Sequence, residues 1–152
     1  MAAPFVPPEF TVPTHFEGHG FRLEPLGPEH NDRDHAAWMS SIDLIRSTLG
    51  FEEYELPRPM SLEVNLADLE RHARDFTDRA GSTYSILDGD EVIGCLYLYP
   101  ARTEGGDASA RSWVTESRSA MDVTVWSLGM IGSQPRTDHP VCAISPTSWS
   151  AR

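Results

Sequence analysis

Residues 82–114 constrain the fold more than any other stretch, because they read as three consecutive strands. Ser82 to Leu87 and Val92 to Tyr99 flank Asp88, Gly89 and Asp90. Alternating runs on either side of an aspartate-glycine turn are a hairpin signal, since a tight turn needs residues that tolerate positive φ. A third apolar run, Ala108 to Val114, follows a glycine-containing loop and leads into Glu116 to Asp122 and a short amphipathic segment from Val123. A strand running into a helix N-terminus can hold an anion on unpaired backbone amides. The order of elements therefore points to a ligand site, although the glycines of a phosphate loop are missing there.

The 152 residues fit one domain with a real core. Against 23 acidic residues stand 12 basic ones, all arginine, for a formal net charge of -11. The absence of lysine removes Schiff-base and lysine-nucleophile chemistry. The acidic balance argues against nucleic acid, whose affinity comes largely from cations on phosphates, and favours cationic or neutral substrates. Cys95 lies inside an apolar strand and Cys142 is the only other cysteine, so a disulfide framework is not expected. Met1 to Pro13 lack the basic and continuous apolar regions of a secretory signal, and no run approaches the roughly 20 apolar residues of a membrane span. The expectation is a cytoplasmic protein with no membrane partner.

Residues 1–20 read as a proline-containing arm whose Phe5, Val6, Phe10 and Val12 can lie against the domain. Phe21 to Leu26 reads as a first strand stopped by Gly27 and Pro28. Helix formers follow from Glu29 to Ser41, with a second helical piece from Ile42 to Leu49. Pro57 and Pro59 keep the next stretch irregular. The surest helix runs from Leu62 to Ala80, with Ser61 as N-cap, Gly81 as C-cap, and Leu62, Leu66, Leu69, Ala73, Phe76 and Ala80 on one stripe. Glu70 with Arg74 and Asp75 with Arg79 read as ion pairs on its solvated side. Residues 21–131 form the domain. Gly129, Gly132 and Pro135 cut the element after Val123 short, Val141 to Ile144 is at most one brief strand, and residues 132–152 read as an irregular, divergent tail whose change of composition is what truncation or a frameshift would leave.

The order strand, two helical pieces, three strands, helix resembles the N-terminal and central part of the GNAT superfamily of acyl-CoA-dependent N-acyltransferases, over about Phe21 to Met130. The residues carrying it are Arg22-Leu23-Glu24-Pro25-Leu26-Gly27-Pro28, Val92-Ile93-Gly94-Cys95 and Arg111-Ser112-Trp113-Val114. Through the first two of these stretches the chain looks most like a set of short actinobacterial GNAT-like proteins of unknown substrate. The resemblance implies an α/β fold with a mixed, mostly antiparallel sheet flanked by helices and an incomplete C-terminal part. It also implies that Ala108 to Val114 splays from its neighbour, with the backbone of Trp113 and Val114 holding the pantetheine arm. The family's next loop, Gln/Arg-x-x-Gly-x-Gly/Ala, matches Arg118, Ser119, Ala120, Met121, Asp122 and Val123. Arg118 fits and would meet a CoA phosphate, with Ser119 and Ala120 in the same wrap. Met121 and β-branched Val123 stand in place of glycines, and Asp122 adds negative charge.

A general base is harder to place. The family's strand glutamate falls on Ser109, and the later tyrosine has no counterpart after Ile131, which leaves Tyr97, Tyr99, Asp107 and Glu116 as substitutes. Trp38, Tyr97 and Tyr99, with Trp113, read as the walls of an apolar cleft for the acceptor. His15 with His19, and His30 with His35 around Asp32 and Asp34, lack a partner fixed by spacing, so no metal site is assigned. Gly105 and Gly106 with Asp107 read as turn chemistry, and no Gly-x-Ser-x-Gly motif is present. The leading expectation is an N-acetyltransferase moving an acetyl group from acetyl-CoA, its co-substrate, to a small amine. The other is a GNAT-derived binding or interaction protein that has lost normal CoA binding.

Overall fold

The computed structural model describes residues 4–47, 59–101 and 108–121, with side chains as far as Arg118. Five antiparallel strands lie in chain order, β1 (Phe16–Gly18), β2 (Phe21–Pro25), β3 (Ser82–Asp88), β4 (Glu91–Pro100) and β5 (Ala108–Val114). Helices α1 (Asn31–Ser40), α2 (Ile42–Ser47) and α3 (Leu62–Thr77) fall between β2 and β3. Fold class and the three-strand run from Ser82 agree with the sequence expectation. The expected elements at 123–131 and 141–144, the tail 132–152 and the turn at Gly105 to Asp107 lie outside the described residues.

The arm of residues 1–20 contains a strand that the prolines conceal. Phe16–Gly18 pairs with β2, Phe16 opposite Leu23, around a turn in which Gly20 takes φ +79°. Ahead of it the chain is strapped to the domain. Phe5 N–H donates to the Arg79 carbonyl at 2.7 Å, the Arg79 guanidinium donates to the carbonyls of Pro7 and Phe10, and Tyr84 Oη donates to the Pro13 carbonyl at 2.7 Å.

β3 and β4 pair from Ser82 opposite Leu98 to Ile86 opposite Gly94, and then Leu87 meets Val92, leaving Ile93 as an extra residue in a bulge. A bulge inverts the alternation of the strand that carries it. Val92 therefore joins Cys95 in the cluster beneath the helices, with Leu26, Ala37, Trp38, Ile45, Leu69, Leu87 and Trp113. Ile93 joins Leu96 in the second cluster, with Phe21, Leu23, Tyr84, Ile86, Leu98, Ala110 and Val114, against which Phe5, Phe16 and Phe76 pack.

α3 is capped as expected, with Ser61 Oγ accepting from Val64 N–H at 3.2 Å. Its buried line differs from the expected stripe. Asn65, Leu69 and His72 are buried, whereas Leu62 is 44 % exposed. The cause is polar. Asn65 Nδ2 donates to Asp34 Oδ2 and to Asn31 Oδ1, both at 3.0 Å, which turns the helix to bring two polar side chains inward beside Leu69. The helix ends at Thr77, with Asp78 as C-cap and Arg79 rather than Gly81 in the left-handed conformation, φ +59°. Arg71 pairs with Asp68 at 2.5 Å and Asp75 at 3.4 Å, and Arg79 turns to the N-terminal arm.

Burial raises the Asp34 carboxyl above its ordinary value of 3.8, against the lowering effect of the Asn65 hydrogen bond. A folded-state pKa above the unfolded one means that this group favours folding fully below about pH 4 and that the contribution is lost as pH rises through the raised value. Asp34→Asn keeps the acceptor for Asn65 and removes the buried charge. Chemical denaturation should find it more stable than the parent at pH 8 and equal to it near pH 4.

Candidate functional site

The register of β4 and β5 gathers the residues of interest. Cys95 lies opposite Trp113, Tyr97 opposite Arg111 and Tyr99 opposite Ser109. Directly opposed side chains share a face. One end of this face is closed. Trp38 from α1 meets Trp113 edge to face at 5.5 Å, both at most 8 % exposed, so these rings are core rather than open walls. Trp113 Nε1–H donates to Tyr97 Oη at 3.0 Å, and the Arg111 guanidinium lies 5.4 Å from the centre of the Tyr97 ring. Beyond them the face opens, and Tyr97, Tyr99, Ser109 and Arg111 are half-buried.

Over the open end α3 presents His72. Its Nδ1 lies 2.7 Å from Tyr99 Oη and 3.0 Å from Thr83 Oγ1, and its Nε2 lies 3.0 Å from Arg71 Nη2 and 3.4 Å from Asp68 Oδ2. Tyr99 Oη also reaches Asp75 Oδ2 at 2.9 Å. Burial pushes the Tyr99 hydroxyl up to about 12 and drives that of Tyr97 well above its usual range. Burial also pushes on Asp68, but hydrogen bonds from His72 and Arg71 overcome it and hold the carboxyl at about 2. Gly81 finds its purpose here. A Cβ at this position would overlap the Tyr99 ring, so glycine lets the ring pack against the backbone leading into β3. Sequence reasoning missed His72, because the apolar stripe of α3 leaves it out and its burial follows from partners on β3 and β4.

The turn after β5 is a short 3-10 segment, Glu116–Met121, kinked at Arg118. Thr115 N–H donates to the Ile93 carbonyl at 2.8 Å, and Glu116 N–H to Ser41 Oγ at 3.0 Å. Arg118 Nη2 pairs with Asp88 at 2.8 Å and lies 3.7 Å from Glu91. The arginine expected to meet a phosphate is thus engaged by the acidic tip of the β3–β4 hairpin. Arg22 and Arg33 donate to the Gly89 and Asp90 carbonyls of the same tip. Val114 packs in the second core cluster. Ser119 and Ala120 contribute backbone to the 3-10 turn, while Asp122 and Val123 lie outside the described residues. β5 pairs with β4 along its whole length, so it does not splay from β4, and its other edge is unpaired among the described residues.

The remaining histidines occupy separate places. His30 Nδ1 accepts from Gly27 N–H at 3.2 Å and its Nε2 donates to Glu24 at 3.3 Å, whereas His35 Nε2 donates to the Met60 carbonyl at 2.7 Å. Among the described residues no three metal-ligating side chains converge, and no helix is long and apolar enough to cross a membrane.

This arrangement of sheet and helices recurs among solved acetyltransferases. A RimL ribosomal L7/L12 α-N-protein acetyltransferase in complex with coenzyme A superposes with a TM-score of 0.59 at 16 % identity, over 80 % of this chain and 64 % of that one. An acetyl transferase from Salmonella typhimurium, which modifies the N-terminal serine of ribosomal protein L7/L12, gives 0.57 at 13 % identity over 88 % and 79 %. A GnaT-family acetyltransferase from Bordetella pertussis gives 0.56 at 15 % over 80 % and 70 %. The chain has the fold of the GNAT acetyltransferases. It spans less than two thirds of the length of the first of these neighbours. No protein-family model and no curated protein sequence matches it.

Gly81→Ala should force the Tyr99 ring off its seat and cost about 1–3 kcal/mol of stability, as overpacking does. Urea denaturation measures the loss, and near-ultraviolet circular dichroism should report the displaced tyrosine.

Proposed function

We propose that this protein is an N-acetyltransferase that moves an acetyl group from acetyl-CoA to a small amine. The observation that carries the reading is the GNAT fold, in which one neighbour holds coenzyme A. Two features of this chain fit that co-substrate. Among the described residues the outer edge of β5 is unpaired and presents alternate N–H and C=O groups, the kind of surface an amide-bearing pantetheine arm can pair with. Arg118 stands one turn beyond it, and a diphosphate competes well for a guanidinium held by surface carboxylates. Trp113 and Val114 would hold the pantetheine by backbone, with Arg118, Ser119 and Ala120 near the phosphates.

Acetyl-CoA supplies the activated thioester, and the chain supplies position. Attack of a neutral amine on a thioester gains mainly from proximity. On the acceptor side stand Tyr97 and Tyr99, with Asp75 bonded to Tyr99 and two carboxylates, Asp68 and Asp75, sharing the one guanidinium of Arg71, an excess of negative charge that suits a cationic amine. Trp38 supports this wall from behind through Trp113. The neighbours that act on protein N-termini make a peptide amine the second acceptor class to assay. One observation favours a non-catalytic reading. Asp88 and Glu91 already occupy Arg118, and Met121 stands where the family loop has glycine.

Calorimetric titration with acetyl-CoA decides between them. Saturable micromolar binding is expected, about tenfold weaker in Arg118→Ala if the guanidinium meets the phosphates. No binding at millimolar ligand by a folded protein would overturn the acyltransferase reading in favour of the non-catalytic one. Thiol release with 1,4-diaminobutane and with a short peptide bearing a free N-terminus then assigns the acceptor.

A further inference from the structure

Acyl transfer to an amine must dispose of a proton, because the acceptor arrives largely as an ammonium ion at neutral pH. His30 and His35 are tied to elements away from the open face of β4 and β5. His72 is the imidazole in direct contact with a half-buried side chain on that face, the Tyr99 hydroxyl. We infer that Asp75, Tyr99, His72 and Asp68 form a relay that binds the acceptor ammonium and takes its proton, with Tyr99 as the group that touches it.

The hydroxyl hydrogen of Tyr99 has two acceptors in reach, Asp75 Oδ2 at 2.9 Å and His72 Nδ1 at 2.7 Å. Directed at Asp75 it leaves Nδ1 to donate to Tyr99 Oη, and Nε2 to accept from Arg71 at 3.0 Å. Directed at His72, it leaves Tyr99 Oη and the Asp75 carboxylate as adjacent acceptors, a site for an N–H-bearing cation. His72 then carries its hydrogen on Nε2, facing Asp68 at 3.4 Å, and Arg71 Nη2, 3.0 Å away, gives up its bond to Nε2 and donates to Asp68 alone. Asp75 is 26 % exposed, so this site opens to solvent beside α3.

One N–H bond of the ammonium breaks and its proton passes to Tyr99 Oη as the hydroxyl proton passes to His72 Nδ1, giving an imidazolium whose Nε2–H donates to Asp68. The neutral amine forms the C–N bond with the acetyl carbonyl, the C–S bond breaks, and CoA leaves as a thiolate. The second proton lost by the nitrogen neutralises that thiolate, and His72 returns its proton to solvent. The charged and titratable groups that face His72 are Asp68, Arg71 and Asp75 on α3, Asp34 on α1, and Tyr97 and Tyr99 on β4, with the Thr83 hydroxyl on β3; Arg111 on β5 lies against the Tyr97 ring. Asp68, held at about 2, stays ionised throughout.

The relay rests on the acyltransferase reading, so its test has a readout that does not need turnover. Protein labelled with 15N-histidine is titrated with 1,4-diaminobutane in the absence of acetyl-CoA. The expected result is that the His72 Nδ1 signal moves from donor to acceptor type in the parent and stays fixed in Tyr99→Phe. An unmoved His72 signal in the parent overturns the relay. If the parent transfers acetyl groups, Tyr99→Phe and His72→Gln should lower kcat at least tenfold at pH 7 with the acetyl-CoA KM unchanged, and Asp75→Asn should raise the amine KM. Retention of kcat within twofold in Tyr99→Phe overturns the relay as well. A His72 response in a parent that neither binds acetyl-CoA nor transfers its acetyl group upholds the amine site and removes the acyltransferase reading instead.

Discussion

Helix α3 is fixed by two buried polar side chains, Asn65 against α1 and His72 against the sheet, and the placement of the site depends on them. A buried donor or acceptor left unpaired costs about 1–3 kcal/mol, so each of these groups fixes the helix rotation that gives it a partner. Asn65 finds Asn31 and Asp34 on α1, one helical turn from where Leu69 enters the apolar layer. His72, three residues on, then has to meet Thr83 on β3 and Tyr99 on β4. Apolar contact alone would allow a range of rotations. The amide and the imidazole select one.

The sheet contributes a second constraint. The bulge at Ile93 inverts the alternation of β4, so that Val92 and Cys95 both lie under the helices while Tyr97 and Tyr99 continue on the same face toward the open end. Trp38 and Trp113 fill the closed end, and Ser41 and Ile93 tie down the turn that follows β5. The residues proposed to meet acceptor and co-substrate are thereby set on a single strand pair. The acidic hairpin tip that holds Arg118 belongs to the same pair, so any anion at the turn must compete with Asp88 and Glu91 for the guanidinium.

Much of the framework was legible in the chain. Asp88-Gly89-Asp90 between two alternating runs gives the hairpin, and the Ser61 cap gives the start of α3, because turns and caps are local chemistry. The alternation of Phe21 to Leu26 gives β2. Other features were hidden for physical reasons. The strand Phe16–Gly18 is too short for periodicity to register and is made by pairing with Leu23. The apolar stripe of α3 pointed slightly off its buried line because Asn65 and His72 go inward, which no hydropathy pattern foresees. Gly81 looked like a helix cap, while its missing Cβ makes room for the Tyr99 ring.

Sequence by itself determined the elements and their order, because backbone propensity, turn residues and alternation act over a few neighbouring positions. It also determined the chemical stock, a lysine-free acidic chain with six histidines and two cysteines. Tertiary structure alone decided which of those groups meet. His72 and Tyr99 are 27 residues apart and become hydrogen-bonded because α3 lies across β3 and β4 in one rotation. Arg118 becomes the partner of Asp88 because antiparallel pairing carries the end of β5 back to the hairpin tip. Contacts of that kind depend on distances closed by the whole fold, and no local pattern encodes them.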